Sequence, residues 1–286
     1  MDLDAALREH FGFSGFRADQ REACEAALAG RDALVVMPTG SGKSLCYQLP
    51  GLIAGDLTIV VSPLVSLMQD QVEALAARGY GEQVALINSQ QEAGANESAL
   101  ARAKSGDLRL LYVAPERFSS PHFVAGIREA SVGLFVVDEA HCVSQWGHDF
   151  RPDYFRLADA ARYLGARSIL ASTATATPRV AVDIEARLGL REPARVTTGF
   201  DRPNLSFAVA RPGGHEKARL ILAELAREGA LPAIVYAGTR AGAEEIAGEL
   251  AEGLGEEVLP YHAGLERERR ASVQRSFLAD EVRDRK

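Results

Sequence analysis

Short apolar runs alternate with longer segments of helical periodicity along the first two thirds of the sequence. The runs at 58–61 and 134–137 are apolar on both faces, which is typical of strands in a parallel sheet covered by helices on both sides. Strands are predicted at 33–36, 57–62, 84–87, 108–113, 132–137 and 168–171. Helices are predicted at 3–10, 18–28, 63–77, 92–104 and 177–188, with another beginning at Leu45. This βαβ rhythm predicts an α/β fold with a mainly parallel sheet.

The pattern breaks at 199–204 and then restarts on a smaller scale. Strands are predicted at 205–210, 233–236 and 258–261, and helices at 215–228 and 241–254, before a final charged helix. The predicted organisation is a first domain over 1–200, a connector over 201–214 and a second unit over 215–286. The second unit has room for about three βα repeats, fewer than a domain of ordinary size holds, so we interpret it as partial.

Composition and charge narrow the class of protein. The 286 residues, of which 47% are hydrophobic and 25% charged, are sufficient for two globular domains. The net charge of −7 gives no global attraction to nucleic acid, so such binding would need a local basic or aromatic surface. Cys24, Cys46 and Cys142 are widely spaced, which argues against a disulfide framework and a structural zinc site. With no visible signal peptide or membrane span, we expect a cytoplasmic protein without membrane contact.

The glycine-rich stretch at 37–44 lies between the predicted strand 33–36 and the following helix, as a phosphate-binding loop requires. Glycines at 40 and 42 allow backbone N–H groups to converge on phosphate, Lys43 adds a positive charge, and Ser44 offers a hydroxyl to Mg²⁺. Met37 departs from the usual pattern, which has glycine there. A glycine-rich turn before an ordinary helix remains the alternative. The predicted phosphate-contacting residues are Thr39, Gly40, Ser41, Gly42, Lys43 and Ser44.

Two carboxylates, Asp138 and Glu139, follow the apolar strand 134–137 directly. Ligands of open α/β sheets bind at the carboxyl ends of strands, where these side chains are expected. In a P-loop enzyme the first acid holds Mg²⁺ and the second orients or deprotonates the attacking water. A solvated Asp-Glu turn is equally common, but the upstream phosphate loop favours Lys43, Asp138 and Glu139 as catalytic residues.

An aromatic and cationic stretch at 144–154 comes immediately after these acids. Trp146 and Phe150 are suited to stacking on bases, and His148 and Arg151 to contacting phosphate or a base face. The alternative is that Trp146 is a core residue within an ordinary surface turn. The Gly, His, Asp and Arg residues around it do not make an apolar packing face, which favours nucleic-acid contact.

The segments 37–50, 138–141 and 144–154 resemble those of RecQ-family DNA helicases of superfamily 2, and the resemblance covers nearly the whole chain. It implies a RecA-like ATP-binding lobe followed by a partial second RecA-like lobe. It also implies ATP and Mg²⁺ as cofactors, single-stranded and partly duplex DNA as partners, 3′ to 5′ unwinding in repair or recombination, and a monomer. In the family the loop at 144–154, which includes Gln145, couples DNA binding to ATP hydrolysis, and Ser172 and Thr173 resemble a motif that links nucleotide state to lobe movement.

The stretch 13–20 resembles the family's adenine-recognition motif. The amide of Gln20 is able to pair with both N6 and N7 of adenine, while Phe13 and Arg17 are placed to sandwich the ring. The segments 62–71 and 114–117 follow strands and open helices, so their backbone amides are candidates for DNA phosphates. Good helix-starting residues explain these two segments equally well without the resemblance.

The resemblance fails after position 277, where the family continues with an arginine-bearing motif that completes the ATP site. Such an arginine is worth ~10³- to 10⁵-fold in rate. The alternative function is therefore a truncated fragment that binds nucleotide and DNA but hydrolyses little. An RNA helicase is a third reading, and the loop at 144–154 argues against it.

Overall fold

The computed structural model describes residues 2–17, 19–147, 149–199, 205–213 and 216–278. The chain divides into two compact units, Met1–Arg202 and Pro203–Lys286. The first unit contains the sheet and the predicted site, and each unit is described separately below.

A seven-stranded sheet forms the centre of the first unit, with every pairing parallel. Its strands are β1 (Ala33–Val36), β2 (Leu57–Val61), β3 (Val84–Ile87), β4 (Leu110–Val113), β5 (Val132–Val137), β6 (Ser168–Thr173) and β7 (Ala194–Thr197). Their order across the sheet is β3-β4-β2-β5-β6-β1-β7. The predicted α/β class with a mainly parallel sheet is confirmed.

Eight α-helices cover the sheet in the described part of this unit: α1 (Leu3–Phe11), α2 (Gln20–Leu28), α3 (Leu45–Ile53), α4 (Val65–Leu75), α5 (Ala93–Ser105), α6 (Pro121–Ile127), α7 (Leu157–Tyr163) and α8 (Pro178–Leu188). Residues of α1 to α4 pack in one buried cluster, and residues of α5 to α8 pack in another that contains the alternate residues of the strands. The sheet is therefore buried on both faces, which explains why its strands read as continuous apolar runs.

Three elements of the first unit escaped prediction. Helices α6 and α7 are short, with seven residues each, and β7 is an edge strand whose residues alternate between buried and exposed. Among the described residues β7 pairs with β1 alone, and its alternate residues Arg195 and Thr197 lie on an exposed face, so the strand lacks a continuous apolar run.

The strand order brings the loops of the predicted site together. Strands β5, β6 and β1 are neighbours in the sheet, so the segments that follow Val137, Thr173 and Val36 begin side by side at one edge. At the opposite end, the buried carboxylate of Asp32 accepts hydrogen bonds from the backbone N–H groups of Ile169 (2.8 Å) and Arg191 (2.7 Å). Asp32 thus ties β1 to the chain around β6 and β7.

The second unit contains helices α9 (Glu216–Leu225), α10 (Arg240–Leu254) and α11 (Arg267–Leu278). The predicted strands at 205–210, 233–236 and 258–261 are wrong, because those described residues have irregular backbone. Phe207 is 89% exposed and Tyr236 90% exposed. Apolar residues of parallel strands are normally buried between neighbouring strands and covering helices, and these residues lack such packing.

Within the described residues, no helix is both long and apolar enough to cross a membrane.

Candidate nucleotide and nucleic-acid site

The glycine-rich loop connects β1 to α3 at the edge where the carboxyl ends of the strands lie. Gly40 and Gly42 both have φ of 83°, a left-handed conformation that favours glycine. Met37, at the position that departs from the pattern, is fully buried, and its N–H donates to the carbonyl of Thr173 (3.1 Å). Since Met37 lies in the core below the loop, its side chain does not occupy the concave face. The departure from glycine is therefore compatible with phosphate binding.

Gln20 braces this loop from α2. Its Nε2 donates to the carbonyls of Ser41 (2.9 Å) and Gly42 (3.2 Å), and its Oε1 accepts from the N–H of Arg17 (2.8 Å). The guanidinium of Arg17 in turn donates to the carbonyl of Gly40 (2.9 Å). The amide predicted to pair with adenine is thus engaged with the loop that is predicted to hold phosphate.

Phe13, the third residue of the predicted adenine motif, is half exposed and stacks against Phe11 with ring centroids 6.2 Å apart. The guanidinium of Arg78 lies 5.8 Å from the same ring. Phe11 and Arg78 therefore contact the ring of Phe13, and an exposed part of the ring remains for a planar ligand.

Asp138 and Glu139 follow β5 as predicted. Asp138 is buried, and burial together with the neighbouring Glu139 raises its pKa to about 6, an effect that Lys43 and the hydroxyl of Ser172 partly offset. The Tyr154 hydroxyl donates to the backbone carbonyl of Asp138 (3.0 Å). Burial destabilises the ionised form of this carboxyl beyond what the phosphate-loop lysine offsets, and a bound cation would supply the missing positive charge.

Glu139 has a left-handed backbone, with φ 47° and ψ 46°. Non-glycine residues in this region carry strain of order 1 kcal/mol or more and cluster at functional sites. The Nδ1 atom of buried His141 lies 3.3 Å from the Glu139 carboxylate and 2.9 Å from the hydroxyl of Thr173. His141 therefore joins the second predicted catalytic acid to the end of β6.

Ser172 and Thr173 are fully buried at the end of β6. The Thr173 hydroxyl donates to the carbonyl of Thr175 (3.2 Å), and the Thr173 carbonyl receives the N–H of Met37. These side chains are inaccessible to DNA in this structure. The contacts of Thr173 fit the coupling role that the resemblance implied, because this residue touches both Met37 of the phosphate loop and His141.

A buried polar network beneath the loop was missed by the sequence reasoning. Tyr47 is buried, and burial raises the pKa of its hydroxyl well above its usual range, so the group stays a neutral phenol. Next to it, Gln48 Nε2 donates to the Tyr112 hydroxyl and to Gln71 Oε1, both at 2.8 Å. In the sequence, the one sign of this network was the presence of polar residues in α3, a helix that is otherwise apolar.

The aromatic loop carries Trp146 on the surface, with 57% of the residue exposed, which excludes the alternative that Trp146 is a core residue. The guanidinium carbon of Arg179 lies 3.4 Å from the centre of the Trp146 ring. Phe150 is partly exposed and contacts Phe155, with centroids 5.1 Å apart. Gln145 is exposed. His148, also predicted to contact DNA, lies outside the described residues.

Two residues fix the backbone of this loop. A Cβ atom added to Gly147 would lie 2.5 Å from the carbonyl oxygen of His141, so only glycine fits the turn. The side chain of Arg151 donates to Asp149 Oδ2 (2.8 Å) and to the carbonyl of Pro63 (3.3 Å). Arg151, predicted to meet DNA, thus also connects the aromatic loop to the segment 62–71.

His141, Cys142 and Asp149 place three potential metal-ligand atoms within 4.8 Å of one another. Burial raises the pKa of the Cys142 thiol to about 12, with Asp149 adding to the effect, and the Asp149 carboxylate already pairs with Arg151. A protonated thiol is a poor zinc ligand, so this group is better explained as internal packing of the loop.

The residues predicted for magnesium fit that ion. Ser44 is the last residue of the phosphate loop, and Asp138 follows β5, which is separated from β1 by β6 alone. The raised pKa of Asp138 marks a buried carboxyl that a cation would stabilise. A hydroxyl and a carboxylate are hard oxygen donors, which is the ligand set that Mg²⁺ prefers alongside phosphate and water.

A parallel sheet with a phosphate loop after β1 and two acids after β5 defines the P-loop class of α/β proteins. The sequence matches the DEAD/DEAH box helicase family over residues 17–184, and the chain belongs to that family.

Three relatives indicate which helicases of this family the chain resembles. The chain is 37% identical over 280 residues to the probable ATP-dependent DNA helicase RecS of Bacillus subtilis (strain 168), covering 98% of this chain and 56% of that protein. It is 41% identical over 278 residues to the ATP-dependent DNA helicase RecQ of the same organism, covering 96% of this chain and 46% of that protein. The RecQ of Pasteurella multocida (strain Pm70) is 40% identical over 278 residues, or 96% of this chain and 43% of that protein. The resemblance to RecQ helicases is confirmed.

The fold is similar to that of the DUF1998 helicase MrfA in its crystal structure bound to DNA. The TM-score is 0.72 at 19% identity, covering 96% of this chain and 42% of that one, which is a likeness of fold. The chain spans about half the length of the relatives it matches.

Proposed function

We propose that this chain is the ATP-binding part of a RecQ-type DNA helicase, which uses ATP hydrolysis to move 3′ to 5′ on single-stranded DNA and to unwind duplex DNA in repair or recombination. The observation that supports this most is the continuity between two sites. Asp138 and Glu139, at the carboxyl end of β5, are followed within a few residues by an exposed aromatic loop that contains Trp146. The names and identities of the RecQ relatives support the same function.

In this proposal the phosphate loop holds the β- and γ-phosphates through its backbone N–H groups, and Lys43 neutralises their charge. Ser44 and Asp138 are the protein ligands of Mg²⁺, which when bound neutralises charge that develops on the phosphates. Glu139 orients the attacking water and accepts its proton. His141 holds the Glu139 carboxylate beside Thr173, since its Nδ1 lies within 3.3 Å of both side chains.

DNA would bind through stacking and local positive charge, because the chain as a whole carries a net charge of −7. Trp146 and Phe150 offer exposed aromatic surface, and Arg151 offers a guanidinium close to the segment 62–71. Contact with a strand would move the loop at 144–151, whose first residues follow the hydrolytic acids directly. Ser172 and Thr173 would pass the nucleotide state onward from the loop and His141.

The direct test is ATP turnover by this chain with and without single-stranded DNA, comparing wild type with Lys43→Ala. We expect DNA to stimulate turnover and Lys43→Ala to abolish it, because the lysine charge on the phosphates is lost. Lys104→Ala is a matched control, since it removes an exposed lysine that pairs with Glu129 (3.3 Å) and has no part in the proposed site. Nucleotide and DNA binding without turnover would instead support the second function, a binding part that hydrolyses little alone.

A second variant separates DNA sensing from ATP chemistry. In Trp146→Ala we expect unchanged affinity for ATP and loss of stimulation by DNA, because the base-stacking surface is gone while the phosphate loop is untouched. Base stacking on an aromatic residue contributes about 1–3 kcal/mol per base. Stimulation that survives at the wild-type level would refute the proposed role of the loop. Equal stimulation by RNA and DNA would favour an RNA helicase.

A further inference from the structure

We propose that Arg179 is a positioning residue that holds Trp146 as a fixed stacking platform for a DNA base and connects it to the ATP site. The inference rests on the proposed function and adds a residue that the motifs did not predict. Its first support is the contact itself, with the Arg179 guanidinium carbon 3.4 Å from the centre of the Trp146 ring. A planar guanidinium at this distance covers a ring face.

Trp146 nevertheless remains 57% exposed, so it is not buried by its surroundings. Its backbone is fixed, because its N–H donates to the Ser144 hydroxyl (3.2 Å) and Gly147 makes a turn that excludes any side chain. A fixed backbone leaves the rotamer of an exposed side chain undetermined. The guanidinium stack supplies the missing restraint and leaves aromatic surface accessible to a base.

The backbone of Arg179 is itself anchored. Arg179 lies in the first turn of α8, where the Thr177 side chain accepts the N–H of Val180 (3.3 Å) and caps the helix. Val180 and Ile184, on the same helix, are buried in the core. The guanidinium is therefore held by a rigid helix, and it restrains the side chain of Trp146 that packs against it.

A short covalent path joins this contact to the phosphate loop. Five residues separate Arg179 from Thr173. The Thr173 carbonyl accepts the N–H of Met37 at the start of the phosphate loop (3.1 Å), and the Thr173 hydroxyl contacts His141. Movement of the phosphate loop would thus be transmitted through residues 173–179 to Arg179 and to the ring of Trp146. This gives Trp146 a route to the ATP site that does not pass through its own loop.

The contact is tested first without DNA, because Trp146 is the only tryptophan of the chain and reports its surroundings directly. In Arg179→Met we expect a red shift of the emission and greater quenching by acrylamide, since the ring gains contact with water. Arg162→Met is the control, because it removes an exposed arginine of α7 that pairs with Asp159 in the same helix. Emission and quenching identical to wild type would overturn the proposal.

The second measurement is a titration of each variant with single-stranded oligodeoxynucleotide, followed by quenching of Trp146. Exposed cation–π contacts of about 0.5–1 kcal/mol predict a two- to five-fold weaker Kd for Arg179→Met, with the salt dependence unchanged. Tighter binding would overturn the proposal by showing that Arg179 competes with the base. A salt slope reduced by about 0.7, with affinity restored by Arg179→Lys, would overturn it in favour of a phosphate contact.

Failure of the proposed DNA binding can be distinguished from failure of the positioning role of Arg179. If wild-type protein does not bind the oligonucleotide at all, while the emission of Arg179→Met shifts as expected, the stacking contact exists and DNA recognition by this chain is refuted, and the platform role falls with it. If wild type binds and Arg179→Met binds equally well, DNA recognition stands and only the positioning role of Arg179 is refuted.

Discussion

Replacement of Asp138 by asparagine is expected to stabilise the protein in the absence of divalent ions and nucleotide. Burial first, and the adjacent Glu139 second, raise the pKa of Asp138 from its usual 3.8 to about 6. Between these two values the folded state binds a proton that the unfolded state does not, so the free energy of unfolding falls as pH rises from about 4 to about 6. Above about pH 7, where the carboxyl is ionised in both states, the destabilisation is complete and constant.

The magnitude follows from the two pKa values. A change from 3.8 to about 6 corresponds to about 3 kcal/mol at pH 7.5, and to about half of that at pH 5, where the carboxyl is largely protonated in the folded state. Asparagine removes the charge but still buries a polar amide, which costs roughly 1–2 kcal/mol unless it is hydrogen-bonded. The net gain for Asp138→Asn is therefore expected at roughly 1–3 kcal/mol at pH 7.5.

The assay is urea unfolding in EDTA at pH 5 and pH 7.5, followed by the fluorescence of Trp146, which reports on the first unit. Asp70→Asn is the matched control, since Asp70 is an exposed residue of α4 and its replacement should change the free energy of unfolding little at either pH. Mg²⁺ with nucleotide should then stabilise wild type and not Asp138→Asn, because the variant lacks the carboxylate ligand.

Two results would refute this reasoning. If Asp138→Asn is less stable than wild type at pH 7.5, the carboxylate makes contacts in the free protein that outweigh its burial. If the difference between the two proteins is the same at both pH values, the ionisation of Asp138 is not its cause.

Two further predictions concern residues that brace the site and the sheet. Gln20→Ala should weaken ATP and GTP binding to the same extent, roughly ten-fold, because two hydrogen bonds to the phosphate loop are lost. Replacement of the exposed Gln69 by alanine should leave both affinities unchanged. A loss of affinity in calorimetry that is confined to ATP would show that Gln20 reads adenine instead. Asp32→Ala should lower the free energy of unfolding by about 3–5 kcal/mol, because the N–H groups of Ile169 and Arg191 lose their acceptor, with Asp32→Asn intermediate; a loss under about 1 kcal/mol in urea unfolding would contradict this.

The strands around the site could be predicted because their burial on both faces is written into the sequence as continuous apolar runs. The phosphate loop and the two acids could be located for the same reason, since each directly follows such a run. Strand order is different, because it depends on contacts between residues more than one hundred positions apart. That β6 lies between β5 and β1, and so places Thr173 beside both Met37 and His141, became visible only in the structure.

The second unit shows the limit of the same reasoning. An apolar run predicts a strand only on the condition that neighbouring strands pair with it, since its backbone N–H and C=O groups need partners. Helices satisfy these groups within one segment, and α10, predicted at 241–254, forms at Arg240–Leu254. The runs at 205–210 and 233–236 remain irregular and exposed, so propensity without pairing was insufficient there.

The role of Tyr154 connects the two halves of the proposed mechanism. Tyr154 is fully buried at the end of the aromatic loop, and its hydroxyl donates to the carbonyl of Asp138, which precedes that loop (3.0 Å). Arg151 closes a second bond across the same segment, from its N–H to the carbonyl of Cys142 (3.0 Å). The end of the loop is therefore bonded to Asp138 and Cys142, the residues on either side of the 139–141 segment that includes Glu139. Because these bonds join the end of the loop to the segment around the two acids, a base that stacks on Trp146 would act on the same short stretch of chain that positions the proposed water-orienting carboxylate.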